Sequence, residues 1–346
     1  MTRVDLTVRG GGIFGLAIAY EAVRRGARVR LIEVAAIGAG ASGGLVGALA
    51  PHVPENWNDK KQFQLESLAM APAFWADVAM CSATDPLYAR TGRLQPLADQ
   101  AAVDLAQRRA TEARTLWQGL AAWTVIAATA DPWQPAAPSG YLVHDTLSAR
   151  IHPRQAALAL TRAIQTLGAE VVIGRDAPDE GQVIWATGVA GLDALSASLG
   201  RKIGAGVKGQ AVTLDLNAAD LPQLFVGGLH IVPHGDGTTS VGSTSEPSWS
   251  DPTATDSGLD DLLATARAAI PALQSARVIE RWAALRPRAT SRAPLLGAWP
   301  GRPGHFVANG GFKIGYGMAP KVAAVMADLV LSGHDLIPPD FRTPPA

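Results

Sequence analysis

The chain has 346 residues, enough for one large domain or two modest ones. Hydrophobic residues make up 48% and charged residues only 17%, which suits a substantial apolar core. Its 30 basic side chains balance 30 acidic ones, and zero net charge argues against a general binder of DNA, whose affinity rests on excess cations.

Residues 4–9 (VDLTVR) read as a strand, Gly10-Gly11-Gly12 as a tight turn, and residues 13–25 as a helix closed by Gly26. A second strand at 28–33 completes a βαβ unit. Residues 38–47 are too glycine-dense for a regular element, and a long helix is expected over 59–80. A strand follows at 88–97, an amphipathic helix at 99–120 and a loop holding proline and tryptophan at 128–140. A helix at 153–168 has proline at its start and glycine at its end, and a strand at 181–188 enters a glycine turn. Strand-like runs cluster at 208–216, 224–232, 238–243 and 278–285, with a helix near 258–270. The last portion gives a strand at 304–308, a glycine-rich turn and a helix over 318–332. Trp75, Trp117 and Trp123 fall in stretches read as helical and are expected in the core. The chain therefore opens and closes with α/β material around a middle that is mainly antiparallel strand.

Gly10-Gly11-Gly12-Ile13-Phe14-Gly15 matches G-x-G-x-x-G between a strand and a helix, the context that gives the motif meaning. Gly10 permits the turn, Gly12 lets a pyrophosphate reach the backbone, and Gly15 lets helix and strand pack closely. The helix N-terminus adds amide donors. Glu33, at the end of the second strand, suits ribose hydroxyls and repels a 2′-phosphate. NAD and FAD share this fingerprint. The loop GASGGLVGALAP, with Ala41, Ser42, Gly47 and Ala48, offers backbone amides and a hydroxyl to a diphosphate and flavin. A second glycine turn, with Gly311, Lys313, Ile314 and Gly315, precedes a helix that can supply donors where a flavin gathers charge on reduction.

The ordered set GGGIFG (10–15), ASGGLVGALAP (41–51), TGRLQPL (91–97), WATG (185–188), KGQAVTL (208–214), IVPHGDGTTSVGSTSE (231–246), ERWAALRPRATSRAPLLG (280–297) and NGGFKIGYGMAP (309–320) resembles the D-amino-acid oxidase superfamily of FAD-dependent oxidoreductases, in particular its glycine oxidase and sarcosine oxidase-like branch. The resemblance covers nearly the whole length. It implies an α/β fold, with a Rossmann-type FAD-binding domain assembled from residues 1–87, 142–206 and 286–337. An inserted α+β antiparallel-sheet substrate domain is expected over 88–141 and 207–285, with a tail at 338–346. It implies that Ala186, Thr187 and Gly188 line the cofactor with the two glycine turns. Arg286 matches the arginine that grips a substrate carboxylate, a role suited to a bidentate cation. Lys313 matches a flavin-proximal position, and His230 stands where relatives place a substrate-touching tyrosine. Ser291-Arg292 departs from the acidic residue common after the Arg-Pro motif, and residues 170–184 are shorter than the family's hairpin. Cys81 matches no covalent flavin linkage and His52 only loosely, so noncovalent FAD is expected.

The expected reaction is hydride transfer from the carbon beside the nitrogen of a small amine or amino acid to flavin N5, then hydrolysis of the imine. Oxygen, with release of hydrogen peroxide, or an electron carrier takes the electrons. Three alternatives stay open: an FAD domain that cleaves a carboxymethylamino group on modified tRNA uridine, a flavin-binding subunit inactive without a partner, and an NAD dehydrogenase.

Other chemistries lack support. The single Cys81 excludes an intramolecular disulfide or a cysteine-based metal site and fits a reducing compartment. His144, His152 and His305 have no metal-ligand spacing, so no metal is expected, and no G-x-S-x-G elbow exists. No apolar run reaches the ~18 residues that span a bilayer. The chain reads as soluble and cytoplasmic, with no membrane partner.

Overall fold

The computed structural model describes residues 4–345; residues 1–3 and Ala346, the outer ends of the segments expected as domain and tail, lie outside the described residues. The first half runs β1 (Leu6–Arg9), α1 (Ile13–Arg24), β2 (Val29–Glu33), β3 (Ala48–Leu49), α2 (Asp59–Ser82), β4 (Arg93–Pro96), α3 (Gln100–Leu116), β5 (Trp123–Ala127), β6 (Tyr141–Asp145), β7 (Ala149–Arg150) and α4 (Pro153–Thr166). It continues with β8 (Glu170–Ile173), β9 (Gln182–Trp185), α5 (Gly188–Ser198), β10 (Gly204–Asp215), β11 (Gln223–Val226), β12 (Leu229–Pro233) and β13 (Thr239–Gly242). The last elements are α6 (Ser257–Ala269), β14 (Arg277–Ala289), β15 (Leu295–Ala298), β16 (His305–Asn309) and α7 (Gly315–Ser332).

Two large sheets organise these elements. The six-stranded sheet has the order β15-β16-β9-β1-β2-β8, parallel except for β15. A parallel sheet needs helices on its faces, and strand β1 is accordingly buried along Leu6–Val8. Helix α1 is apolar almost all round, with Ile13 through Val23 buried, because α7 and α4 pack against it. The eight-stranded sheet has the order β14-β10-β13-β12-β11-β4-β6-β5 and is antiparallel except where β4 meets β11. Its core packs Val212, Leu224, Ile231 and Val241 against Leu259, Leu263 and Ala266 of α6. Local signals fix the helix starts. Asn58 accepts from the Lys61 amide and Asp99 from the Ala102 amide, while Pro153 opens α4 and the His152 ring caps it by accepting from the Gln155 amide.

All strands of the first sheet fall within 1–87, 142–206 and 286–337. Strand β6 straddles the expected border at 141/142 and pairs in the second sheet, and β10 and β14 run across 206/207 and 285/286. Arg286 therefore stands on the eight-stranded sheet. Several local expectations change. The run 224–232 is a hairpin, β11 and β12, turned at Gly227-Gly228, both with positive φ. The glycine turn after β9 opens α5, and α7 begins at Gly315 rather than near 318. Trp123 is buried in strand β5 rather than in a helix. Within the segment expected as a tail, residues 338–345 pack on the fold: Phe341 is fully buried and the Thr343 amide donates to the Leu296 carbonyl at 3.0 Å. Among the described residues no helix is long and apolar enough to cross a membrane.

Candidate active site

One cavity of about 940 Å³ runs from the end of β1 to the face of β14. At its β1 end the turn of residues 10–15 is held by close backbone contacts. A Cβ on Gly10 would lie 2.4 Å from the Ala186 carbonyl oxygen, and one on Gly15 would lie 1.9 Å from the Gly10 carbonyl oxygen. Gly12 differs: the only atoms near its missing Cβ belong to the Ser42 side chain, at 3.1 Å and beyond. Gly10 and Gly15 thus permit the turn itself, while Gly12 keeps its surface open to the cavity. The Ser42 hydroxyl accepts from the Ile13 amide at 2.9 Å and so caps α1. Glu33 accepts from the Gly11 amide at 2.8 Å and from the Ala35 amide at 2.8 Å, which pins its carboxylate at the rim of the turn.

The middle of the cavity is lined by Ala41, Gly47 and Ala48 on one side and by Ala186, Thr187 and Gly188 on another. Gly47 is demanded by packing, since a Cβ there would sit 1.7 Å from the Ile151 carbonyl oxygen. Gly311, Ile314 and Gly315 line the wall where α7 begins. The Tyr316 hydroxyl lies 2.7 Å from the Ser42 carbonyl and 2.8 Å from the Pro153 carbonyl, tying that helix start to the glycine-rich loop and to α4.

At the far end the Arg286 guanidinium is buried. Its Nη1 donates to Ser243 Oγ at 2.6 Å, its Nη2 donates to the Thr244 carbonyl, and its Nε has no partner among the described residues. Space for it comes from Gly209 on the neighbouring strand, where a Cβ would fall 1.6 Å from Nη2. Burial pulls the guanidinium down to about 10, which leaves it charged at neutral pH. Phe312 holds a left-handed backbone at φ 43, and the charged groups of Arg286, Arg288 and Lys313 lie 5.7, 5.6 and 5.9 Å from its ring centroid. Three cations around one aromatic ring make this end of the cavity positive. Partial burial, with Arg286 close by, pushes the Lys313 ammonium below the usual lysine range.

His230, on β12, lines the same end and packs on Phe225 at 4.8 Å between ring centroids. Burial, with Arg93 and Lys313 nearby, pushes its imidazole down to about 3, so the ring is neutral, and its Nδ1 has no partner among the described residues. The structure thus brings Arg286, Lys313 and His230 together at one end of a cavity whose other end is the residue 10–15 turn. His52 is bonded to Gln64 and Cys81 to the Ala163 carbonyl, and neither lines the cavity.

Gly209, Ser243, Thr244 and Phe312 escaped the sequence reading. KGQ at 208–210 contains a strand-interior glycine, a signal of close approach by another group. Nothing in the sequence pairs it with Arg286, 77 positions away by number. Among the described residues no group of three or more His, Cys, Asp or Glu is arranged to hold a metal ion.

A family model described as FAD dependent oxidoreductase (DAO) matches residues 5–329. The glycine oxidase of Geobacillus kaustophilus is 26% identical over 362 residues, covering 95% of this chain and 93% of its own length. The solved structure of the G. kaustophilus glycine oxidase aligns with a TM-score of 0.81 at 24% identity, covering 96% of this chain and 95% of that one. The iminodiacetate oxidase of Chelativorans sp. BNC1 aligns with a TM-score of 0.83 at 22% identity, over 97% of this chain and 98% of that one. At these identities the two solved structures show a common fold.

Proposed function

From the premise that this chain belongs to the FAD dependent oxidoreductase family, we propose that it oxidises the carbon–nitrogen bond of a small amino acid held by its carboxylate on Arg286. One observation supports this most directly: a single cavity joins the glycine turn of residues 10–15 to a buried guanidinium with a spare N–H.

FAD suits the residues present. The bare Gly12 surface, the start of α1 and Ser42 would hold the diphosphate, and Glu33 a ribose. Ala186, Thr187 and Gly188 would flank the dinucleotide, and Gly311, Lys313, Ile314 and Gly315 the flavin ring at the start of α7. No covalent bond is proposed, since Cys81 and His52 lie off the cavity. When bound, FAD supplies the hydride acceptor, so that the substrate's C–N bond becomes an imine that water hydrolyses.

Arg286 receives the carboxylate through a charge-assisted pair and so fixes which carbon faces the cofactor. Lys313 adds positive charge beside it. The neutral His230 ring offers its unpartnered nitrogen to the substrate amine and carries no charge that would repel an ammonium. Phe225, Trp282 and Leu285 give apolar walls that limit water near the reacting carbon. Oxygen is the proposed electron acceptor, with hydrogen peroxide as its product, in keeping with the oxidases among the relatives.

The test is anaerobic mixing of the flavin-loaded protein with glycine, sarcosine and D-amino acids, alongside uncharged amines of similar size. Bleaching of the flavin by a carboxylate-bearing amine, followed by peroxide on readmitting oxygen, is the expected result. Bleaching by the uncharged amines alone overturns the carboxylate assignment, and no bleaching by any of them overturns the substrate class.

A further inference from the structure

Behind Arg286 lies a group of charges that the proposed reaction does not use. Lys208, on β10, is almost fully buried at 2% exposure, and its Nζ donates to Asp256 at 2.8 Å and stands 3.7 Å from Glu246. Gln210, also buried, donates to both carboxylates, at 3.0 Å to Glu246 and 2.6 Å to Asp256. Thr244 links this group to the site: its hydroxyl donates to Glu246 while its carbonyl accepts from Arg286. The chain over 244–246 runs beside β10, with mutual amide–carbonyl bonds of 2.9 Å between Lys208 and Glu246. Glu246 is thus bonded to a direct contact of Arg286, and its charge is felt at the guanidinium.

An unopposed carboxylate at that place would compete with any anion arriving at Arg286, because the guanidinium's spare N–H and its charge would turn to the nearer acid. The guanidinium is buried while Glu246 is partly exposed, so water screens the competition only in part. The Lys208 ammonium, bonded to Asp256 and 3.7 Å from Glu246, opposes it. We propose that Lys208 is a positioning residue of the substrate site, whose charge, shared between Asp256 and Glu246, offsets Glu246 behind Thr244 and so leaves Arg286 open as a receptor for an anion. The inference rests on the reading of Arg286 as the carboxylate anchor. It adds that the receptor's strength is set from the opposite face of β10, by a lysine that touches no substrate.

Acetate, a carboxylate with no amine to oxidise, is the probe, titrated into the FAD-loaded protein and followed by the change in flavin absorbance. Lys208→Met weakens acetate binding roughly tenfold, and Lys208→Arg keeps it near the parent value. Glu246→Gln added to Lys208→Met restores affinity to within about threefold of the parent, and Glu246→Gln alone tightens it by about threefold. A lysine that only latches the 243–256 segment would give a double variant as weak as Lys208→Met, and that result overturns the proposal, as does unchanged binding in Lys208→Met. Should Lys208→Met lose its flavin, Glu246→Gln alone decides, and unchanged or weaker binding there overturns it. Arg286→Met separates the two layers. If it binds acetate like the parent, the anchor reading fails and this one with it. If it abolishes binding while Lys208→Met does not weaken it, only the role of Lys208 fails.

Discussion

On the six-stranded side of the cavity, the groups that line it are mostly backbone: the turn at 10–15, residues 186–188 and the start of α7. On the eight-stranded side they are side chains, Arg286, His230 and Ser243, held by others such as Thr244 from distant stretches of chain. Backbone recognition requires small residues at fixed spacing within one turn, so it leaves a compact trace in the sequence. Side-chain recognition requires only that the strands bring the right groups together, and strands β10 and β14 pair residues 62 to 85 positions apart. On the proposed reading, the first half would serve any dinucleotide and the second would set substrate choice.

The contrast can be broken most severely at the glycines. Gly15→Val is expected to prevent folding, since its Cβ would stand 1.9 Å from a backbone oxygen that cannot move aside. Gly12→Val meets only the Ser42 side chain and is expected to fold with a thermal midpoint near the parent's, yet to purify without FAD. Thermal melts and flavin-to-protein ratios read both, and equal behaviour of the two variants would erase the distinction between turn glycine and cofactor glycine. On the other sheet, Arg286→Met should raise KM for a carboxylate substrate by roughly one to two orders of magnitude, the worth of losing hydrogen bonds to a charged group. An uncharged amine should show little change, and steady-state kinetics on both kinds of substrate gives the answer. Gly209→Ala is milder, because the atom its methyl meets is the far end of a flexible side chain. A rise of about tenfold in KM, with kcat and flavin content held, would mark a displaced guanidinium. A fall in flavin content instead would show that the two halves are not separable.

The smallest expected effect is in pH. His230 and His234 are held neutral, pushed down to about 3 and about 4. In the unfolded chain they take up protons near the ordinary value of about 6.5, so the unfolded state binds more protons between those limits. Stability due to these rings is complete above about 6.5 and is lost as pH falls toward 4 and 3. His230→Asn should reduce the slope of unfolding free energy against pH in that window, measured by denaturant melts, without changing stability above pH ~7 relative to its own plateau.

Much of the cofactor half was legible. Strand, glycine turn, helix, strand and Glu33 follow one another within the first 33 residues, and each places its neighbour. The resemblance carried Arg286 and Lys313, but not how Arg286 is held. Ser243, Thr244 and Lys208 are ordinary residue types whose meaning comes only from pairing across the sheet. The hairpin of β11 and β12 was missed although Gly227-Gly228 is a turn signal, because the apolar runs on both sides read as one strand. Arg93 and Asp145, an ion pair buried beneath His230's neighbourhood, lie 52 positions apart and carried no local mark.

The order of strands in the six-stranded sheet has one more consequence. Strand β16 pairs with β9, and β15 reaches the sheet only through β16, so both are added after the whole eight-stranded sheet has been synthesised. In chain order the residue 10–15 turn precedes the opposite wall at 310–316, with the whole eight-stranded sheet between them. A ligand lodged between those walls would be enclosed only once both have been made. Chains truncated before β16 would have the fingerprint and no means of enclosing its ligand.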